Sequence, residues 1–403
     1  MSRKIIHLDL DAFFCSVEEQ HDPTLVGKAF AVGGRPEQRG VVASCSYPAR
    51  QLGVRSAMPM SQAVRRCPHL IIVPANHKTY GATSRQVMQL LRGLTPLVEQ
   101  LSIDEAFLEV TELAGSGEGI ARQLQQTIRR ELDLPCSLGI ATNKLVAKIA
   151  NNVGKSEGRK ANQGESPPNA IQVVPPGQEA NFLDPLPCNE LWGVGPKMDK
   201  RLEALGIHTI GDIARWPEDD LARRFGKIGE SLAKRSKGID HRPVETERES
   251  KSVSQETTFT RDVTDERKLC QTLRRLSEGV AKSLQRQKLA GTTIRLKIRW
   301  ADFTTPSRQI TLDQPTNDVE RIYEAAHTLF QRVWPDREPV RLIGVGVSGF
   351  AEQSAHQISL WEMEEIIRSE ENKSEQEKQL DRALAELRKR FGDEAVKRAS
   401  ELG

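Results

Sequence analysis

Ile5-Ile6-His7-Leu8-Asp9-Leu10-Asp11-Ala12-Phe13-Phe14 is the stretch that decides how this chain is read. An apolar strand runs straight into two carboxylates and then two aromatic rings. Farther along, Leu101-Ser102-Ile103-Asp104-Glu105-Ala106-Phe107 places adjacent carboxylates inside a second apolar run. An unpaired carboxylate is costly to bury, so strands that carry one inward need a compensating cation. Asp9, Asp104 and Glu105 are hard oxygen donors suited to one or two Mg²⁺ ions. Two such ions flank an in-line phosphoryl displacement, which points to nucleotidyl transfer. Asp104 and Glu105 are neighbours and would face opposite sides of a regular strand. Both reach one site only at a bulge or hairpin tip, between strands expected at 97–101 and 105–110. A solvated hairpin tip is the plain alternative. Asp11 is expected to cap a helix over 12–20.

Composition bounds the rest. The 403 residues are 37% hydrophobic and 28% charged, a polar globular chain of about two to four domains. No run approaches the roughly 18 apolar residues of a membrane span, and no secretory signal opens the sequence. The six cysteines are scattered, without zinc-ligand spacing, and read as reduced packing residues. The expectation is a cytoplasmic protein with no membrane partner. The net charge of +3 decides little, but residues 261–310 hold twelve Lys or Arg against five Asp or Glu. Residues 362–403 hold nine against twelve. A basic module for a polyanion followed by a solvated tail fits that split.

Strands are expected at 4–9, 28–32, 40–44, 70–73, 97–101, 105–110 and 136–141, and helices at 12–20, 57–66, 79–93, 117–132 and 143–153. This α+β alternation suits a sheet with helices on one face. Residues 154–170 lack apolar anchors and read as a loop. Residues 182–238 read as purely helical. Residues 239–256 are charged and polar and form the expected interdomain linker. Strand and helix alternate again over 257–350, and a Glu/Lys/Arg-rich helical pattern occupies 373–402.

Three further constellations carry chemistry. Ser44-Cys45-Ser46-Tyr47-Pro48-Ala49-Arg50 follows a strand, and its hydroxyl, phenol and guanidinium suit a triphosphate tail. A surface turn with an incidental Arg is the alternative. Lys155 can add a point charge. Leu191-Trp192-Gly193-Val194-Gly195-Pro196-Lys197-Met198 joins two helices through a Gly-Val-Gly hairpin. Gly193 and Gly195 let backbone N–H groups face a phosphate, and Lys197 adds charge; an ordinary αα-hairpin is the alternative. In Thr293-Ile294-Arg295-Leu296-Lys297-Ile298-Arg299-Trp300, alternation puts Arg295, Lys297 and Arg299 on one face. Three cations there can track a phosphate backbone, although a half-exposed strand explains them too.

These residues together resemble the Y-family DNA polymerases, and within them the bacterial DNA polymerase IV (kappa-like) class. The resemblance spans residues 4–350 through IIHLDLDAFFCSVE, GVVASCSYPARQLGVRSAMP, LSIDEAFLEVT, SLGIATNKLVAKIA, LWGVGPKM and SVSQETTFTRD, in that order. It implies a multidomain α+β right-hand polymerase: palm (1–20 and 75–165), small fingers (21–74), helical thumb with a helix-hairpin-helix (166–240), linker (241–256), α+β little finger (257–350) and tail (351–403). It implies Asp9, Asp104, Glu105 and the Leu10 carbonyl as ligands of two Mg²⁺. Ser44, Tyr47, Arg50 and Lys155 become the triphosphate ligands and Phe14 the steric gate beneath the incoming sugar. Val41 and Ala43 become small residues over the nascent base pair. Cys15 and Cys45 stand where the family more often has Ala, and 156–172 is longer than the family's usual turn. Gln357-Ile358-Ser359-Leu360-Trp361 resembles a sliding-clamp-binding peptide, with Gln357, Leu360 and Trp361 as its anchors.

The expected activity is template-directed, error-prone translesion synthesis without proofreading, by a monomer acting on primer–template DNA and deoxynucleoside triphosphates, with a sliding clamp as partner. The rival readings are a palm-fold nucleotidyl cyclase and a non-catalytic DNA- and clamp-binding scaffold.

Overall fold

The computed structural model describes residues 2–247, 249–334 and 338–350. The clamp-like peptide (Gln357, Leu360, Trp361) and the helical pattern at 373–402 lie outside the described residues. In chain order the elements begin β1 (Ile5–Leu10), α1 (Phe13–His21), β2 (Phe30–Gly33), β3 (Val42–Cys45), α2 (Tyr47–Gln51), α3 (Met60–Arg66) and β4 (Ile71–Val73). Next come α4 (His77–Leu94), β5 (Val98–Gln100), β6 (Glu105–Glu109), α5 (Gly117–Leu132), β7 (Cys136–Ala141), α6 (Lys144–Ala161) and β8 (Ile171–Val173). A helical run follows: α7 (Glu179–Leu183), α8 (Pro196–Glu203), α9 (Ile210–Arg215), α10 (Glu218–Phe225) and α11 (Lys227–Arg235). The last described part is β9 (Ser252–Val263), α12 (Glu266–Gln287), β10 (Gly291–Trp300), β11 (Ser307–Thr316), α13 (Val319–Val333) and β12 (Val340–Phe350).

The strand that opens the sequence argument sits in the middle of a five-stranded sheet ordered β5-β6-β1-β7-β8. Its neighbours β6 and β7 are antiparallel to it, and β8 runs parallel to β7. Alternation sends Ile6, Leu8 and Leu10 into one core with α4 and α5, and Ile5, His7 and Asp9 to the other face. That second face is covered by α6, where Asn151 reaches His7 at 2.9 Å. The helices therefore cover both faces, not the single face expected, because β1 is buried along both rows of side chains. Helix α6 also continues to Ala161, eight residues past its expected end at 153. Residues 154–161 carry few apolar side chains, but polar and charged groups on this helix find buried partners on the sheet.

Ile5 and Phe107 from the sheet join Leu145 and Ile149 of α6 and Leu202, Ile210, Leu221 and Leu232 of the helical run in one core. The three-stranded sheet β3-β2-β4 has its own small core around Ala31, Val42, Cys45, Met60 and Ala63. The four-stranded antiparallel sheet β11-β10-β12-β9 packs one face on α12 and α13 through Leu273, Val280, Ile294, Ile298 and Phe330. Strand β9 begins at Ser252, so the expected linker loses its last five positions to pairing with β12. Arg39 donates to Asp262 at 2.6 Å and to the Phe259 carbonyl at 3.2 Å, tying the segment after β2 to β9. All six cysteines are free, five of them buried, as their scatter suggested.

Candidate active site

Strand β1 delivers Asp9 and Leu10 to the end of the central sheet, where the Leu10 N–H donates to the Asp104 carbonyl at 3.0 Å. Asp104 lies in the turn before β6, with its carboxylate accepting from the Ser102 hydroxyl at 2.5 Å. That hydroxyl in turn accepts from the N–H groups of Asp104 and Glu105 at 3.3 and 3.1 Å. This is the hairpin tip that adjacent carboxylates required, and it leaves Asp9 opposite Glu105 in the ladder.

Asp9 and Asp104 line a cavity of about 230 Å³ together with Phe14, Ser44, Tyr47, Arg50 and Lys155. Ser46 caps α2 by accepting from the Ala49 N–H, which turns Tyr47 and Arg50 toward the cavity one helical turn apart. The Arg50 guanidinium lies 5.2 Å from the Tyr47 ring centre and donates to the Cys45 carbonyl at 3.0 Å. Burial pushes the Tyr47 phenol up, so it stays protonated as a donor. Phe14 stacks on Tyr80 with centroids 4.2 Å apart and planes 13° from parallel. Tyr80 is itself fully buried and hydrogen-bonded to Glu18.

Helix α6 supplies the cations. Lys144, Lys148, Asn151, Lys155 and Arg159 recur at helical spacing on one face. Lys144 donates to Glu99 at 2.7 Å and Lys148 to Glu105 at 2.8 Å, while Lys155 pairs with Asp9 and, at 3.2 Å, with Asp11. Gly139 makes this approach possible, since a Cβ there would collide with the Ala147 carbonyl of α6. Burial draws Lys155 downward, but the facing carboxylates outweigh it and its pKa is raised. Burial lifts Asp104, and lifts Glu105 even against Lys148. His7, wholly buried beneath Asp9, is held far below its usual value by burial and then by Lys148 and Lys155.

Asp11 is not a helix cap. Ala12 occupies that position in the left-handed region, with no side-chain capping bond. The Asp11 carboxylate turns inward to Ser137, Asn169 and Lys155, because buried donors there satisfy it better than a helix end in water.

Among the described residues, no three Asp, Glu, His or Cys side chains converge as a metal cage; Lys155 pairs with Asp9 and Asp11, and Lys148 with Glu105. The donor chemistry still fits a hard divalent cation. The carboxylates are oxygen donors, and Asp104 and Glu105 are strained by burial in a way that extra positive charge relieves.

Comparison with known proteins follows the same map. Models of the impB/mucB/samB family, of its HHH motif and of its C-terminal domain match residues 8–152, 176–207 and 250–360. A DNA polymerase IV of Desulfatibacillum aliphaticivorans is 40% identical over 400 residues, 98% of this chain and 96% of that protein. The chain belongs to the Y-family DNA polymerases, in the DNA polymerase IV class. Another DNA polymerase IV, from Listeria innocua, is 41% identical over 86% of this chain and 95% of its own length. A solved Y-family DNA polymerase chimera of Dbh and Dpo4 superposes with a TM-score of 0.76 at 28% identity, covering 86% of this chain and 99% of that one. The chain is thus a DNA-directed DNA polymerase with the α+β right-hand fold, and neither a cyclase nor a non-catalytic scaffold.

In this polymerase Glu105 stands back from the cavity against Lys148, and Gly193, Gly195 and Lys197 lie away from it. Gly193 adopts φ +103° at the hairpin, a conformation that favours glycine. Arg295 is exposed and bonds Gln309 at 3.2 Å, Lys297 pairs with Glu256 at 2.7 Å, and Arg299 bonds Thr305 at 2.9 Å. Sequence reasoning missed Tyr80, Lys148 and Arg159. The helical spacing of cations in α6 was the available signal for the last two.

Proposed function

We propose that the polymerase performs error-prone translesion synthesis without proofreading, adding deoxynucleotides to a primer 3′ end opposite intact and damaged bases. The observation that carries this reading is the single cavity in which Asp9 and Asp104 face Ser44, Tyr47, Arg50 and Lys155, with Phe14 at its wall. Asp9, Asp104, Glu105 and the Leu10 carbonyl would hold two Mg²⁺ ions, whose chemistry is to acidify the primer hydroxyl and neutralise the phosphates.

The rest falls to the chain. Arg50 offers a planar fork to the triphosphate, Ser44 and Tyr47 add hydroxyl donors, and Lys155 adds a point charge. Phe14, backed by Tyr80, obstructs a 2′-hydroxyl by collision. Ala43 lines the cavity and Val41 is 51% exposed; two small side chains over the nascent pair leave room for a distorted template base. The five-stranded sheet then acts as palm, the three-stranded sheet as fingers, α7–α11 as thumb and the four-stranded sheet as little finger. Gly193, Gly195 and Lys197 grip one stretch of the DNA backbone, and Arg295, Lys297 and Arg299 another. The enzyme works as a monomer in a bacterial cytoplasm, tethered to a sliding clamp by Gln357, Leu360 and Trp361.

Primer extension on undamaged, abasic and N2-adducted guanine templates tests the activity. The reading requires synthesis past at least one lesion and extension of mispaired ends; arrest at every lesion contradicts it. Deleting residues 357–361 should remove stimulation by the clamp while clamp-free synthesis on short primers persists, because a tether raises local concentration without new DNA contacts. A loss of both assigns the segment a structural role instead.

A further inference from the structure

We propose that Asp11 is a positioning residue: it anchors Lys155, and the segment Pro168–Ala170, at the wall of the nucleotide cavity. The proposal rests on reading Lys155 as a triphosphate ligand, and it concerns a buried carboxylate to which that reading gives no task.

The Asp11 side chain is 0% exposed, against 16% for Asp9 and 14% for Lys155. Three donors surround it. The Ser137 hydroxyl lies 2.8 and 3.0 Å from its two oxygens, the Asn169 N–H donates at 3.1 Å, and Lys155 stands at 3.2 Å. The Asp11 N–H is itself fixed on the Pro135 carbonyl at 2.9 Å. A carboxylate so enclosed cannot swing toward the cavity and acts as a stationary negative charge. Lys155 lies between this fixed anion and Asp9. When a cation or a phosphate competes at Asp9, the Asp11 contact remains and keeps the flexible ammonium stem at the cavity wall. A lysine without such an anchor has more rotamer freedom to lose on binding phosphate.

The same carboxylate pins the backbone on the far side. Asn169 sits in the left-handed region at φ +43°, and its N–H points at Asp11. The Ser137 hydroxyl that donates to Asp11 accepts from the Ala170 N–H at 3.0 Å. Pro168, just before, lines the cavity and lies against α6 so closely that a Cβ on Gly158 would come within 2.9 Å of it. Asp11 and Ser137 thus hold a cavity wall and the lysine beside it as one unit.

Nucleotide affinity is measured without turnover, on polymerase bound to a dideoxy-terminated primer–template, for Asp11→Asn, Ser137→Ala, Lys155→Ala and the Asp11→Asn/Lys155→Ala pair. Asp11→Asn keeps the shape and removes the charge. It should weaken nucleotide binding by about tenfold, and the double variant should bind no worse than Lys155→Ala alone, because the residues act through one contact. Ser137→Ala, which keeps both charges, should weaken binding in the same direction by about threefold. Amide exchange at Asn169 and Ala170 should accelerate in Asp11→Asn while the β1 amides stay protected, a readout independent of nucleotide. Weakened binding in Lys155→Ala beside unchanged binding in Asp11→Asn and Ser137→Ala overturns this proposal alone, as does full additivity in the double variant. Unchanged binding in Lys155→Ala overturns the triphosphate reading and the proposal with it.

Discussion

The end of the five-stranded sheet and the outer face of the four-stranded sheet both present charged side chains in register, yet they are built oppositely. At the first, Asp9, Asp11, Lys155 and Lys148 are largely enclosed, and each charge leans on another. At the second, Arg295, Lys297 and Arg299 stand on a strand whose other row, Ile294, Leu296 and Ile298, fills the core, and their partners are single and exposed. Removing one member of an enclosed set strands its partner without solvent, whereas an exposed charge is replaced by water and salt. One region therefore suits chemistry that needs fixed geometry. The other suits a grip on a polyanion that must slide.

The largest expected effect is at the enclosed region. Asp104→Ala should slow nucleotide incorporation by at least about a thousandfold, the scale of losing a principal electrostatic contact to a transition state. Pre-steady-state primer extension measures it, and a loss of less than tenfold would erase the contrast. Phe14→Ala comes next. Opening the space beneath the sugar should raise ribonucleotide use relative to deoxynucleotide use by about a hundredfold, with deoxynucleotide incorporation retained. Competition assays read the ratio; unchanged discrimination moves the gate to Phe13.

At the exposed region, replacing Arg295, Lys297 and Arg299 together by Ala should reduce the slope of log affinity against log salt by up to about 2.7, from about 0.9 per phosphate contact on duplex DNA. Binding titrations at several salt concentrations check it, and an unchanged slope removes these cations from the DNA face. The smallest effect belongs to Arg274 and Glu320, bonded twice at 2.8 Å on the surface between α12 and α13. A double-mutant cycle in denaturant should give under about 1 kcal/mol of coupling. A larger value means that exposure does not separate the two kinds of charge.

The sequence exposed the two regions unequally. The apolar run into Asp9, the adjacent Asp104 and Glu105, and the alternation around Arg295 are local patterns, and a strand end, a hairpin tip and a half-buried strand followed from them. What escaped was set by contacts distant in sequence. Asp11 read as a cap because the helix after it is local, while the competing donors sit at Ser137, Lys155 and Asn169. The end of α6 read as loop because the partners of its Lys155 are carboxylates at and just past the end of β1, not apolar neighbours within the helix. Tyr80 gave no signal at all, since only the fold stacks it under Phe14. The charges of the exposed strand were easier to read because they depend on little beyond their own alternation.

One measurement tests the division of labour directly: single-turnover primer extension with DNA titrated, comparing Asp104→Ala with the Arg295/Lys297/Arg299 triple variant. The enclosed site should govern rate and the exposed strand should govern grip. Asp104→Ala should then lose its maximal rate while its DNA dissociation constant stays within about threefold of the parent. The triple variant should recover the parental rate at saturating DNA with a dissociation constant raised at least about tenfold. Equal losses of rate and DNA affinity in both variants would contradict the account.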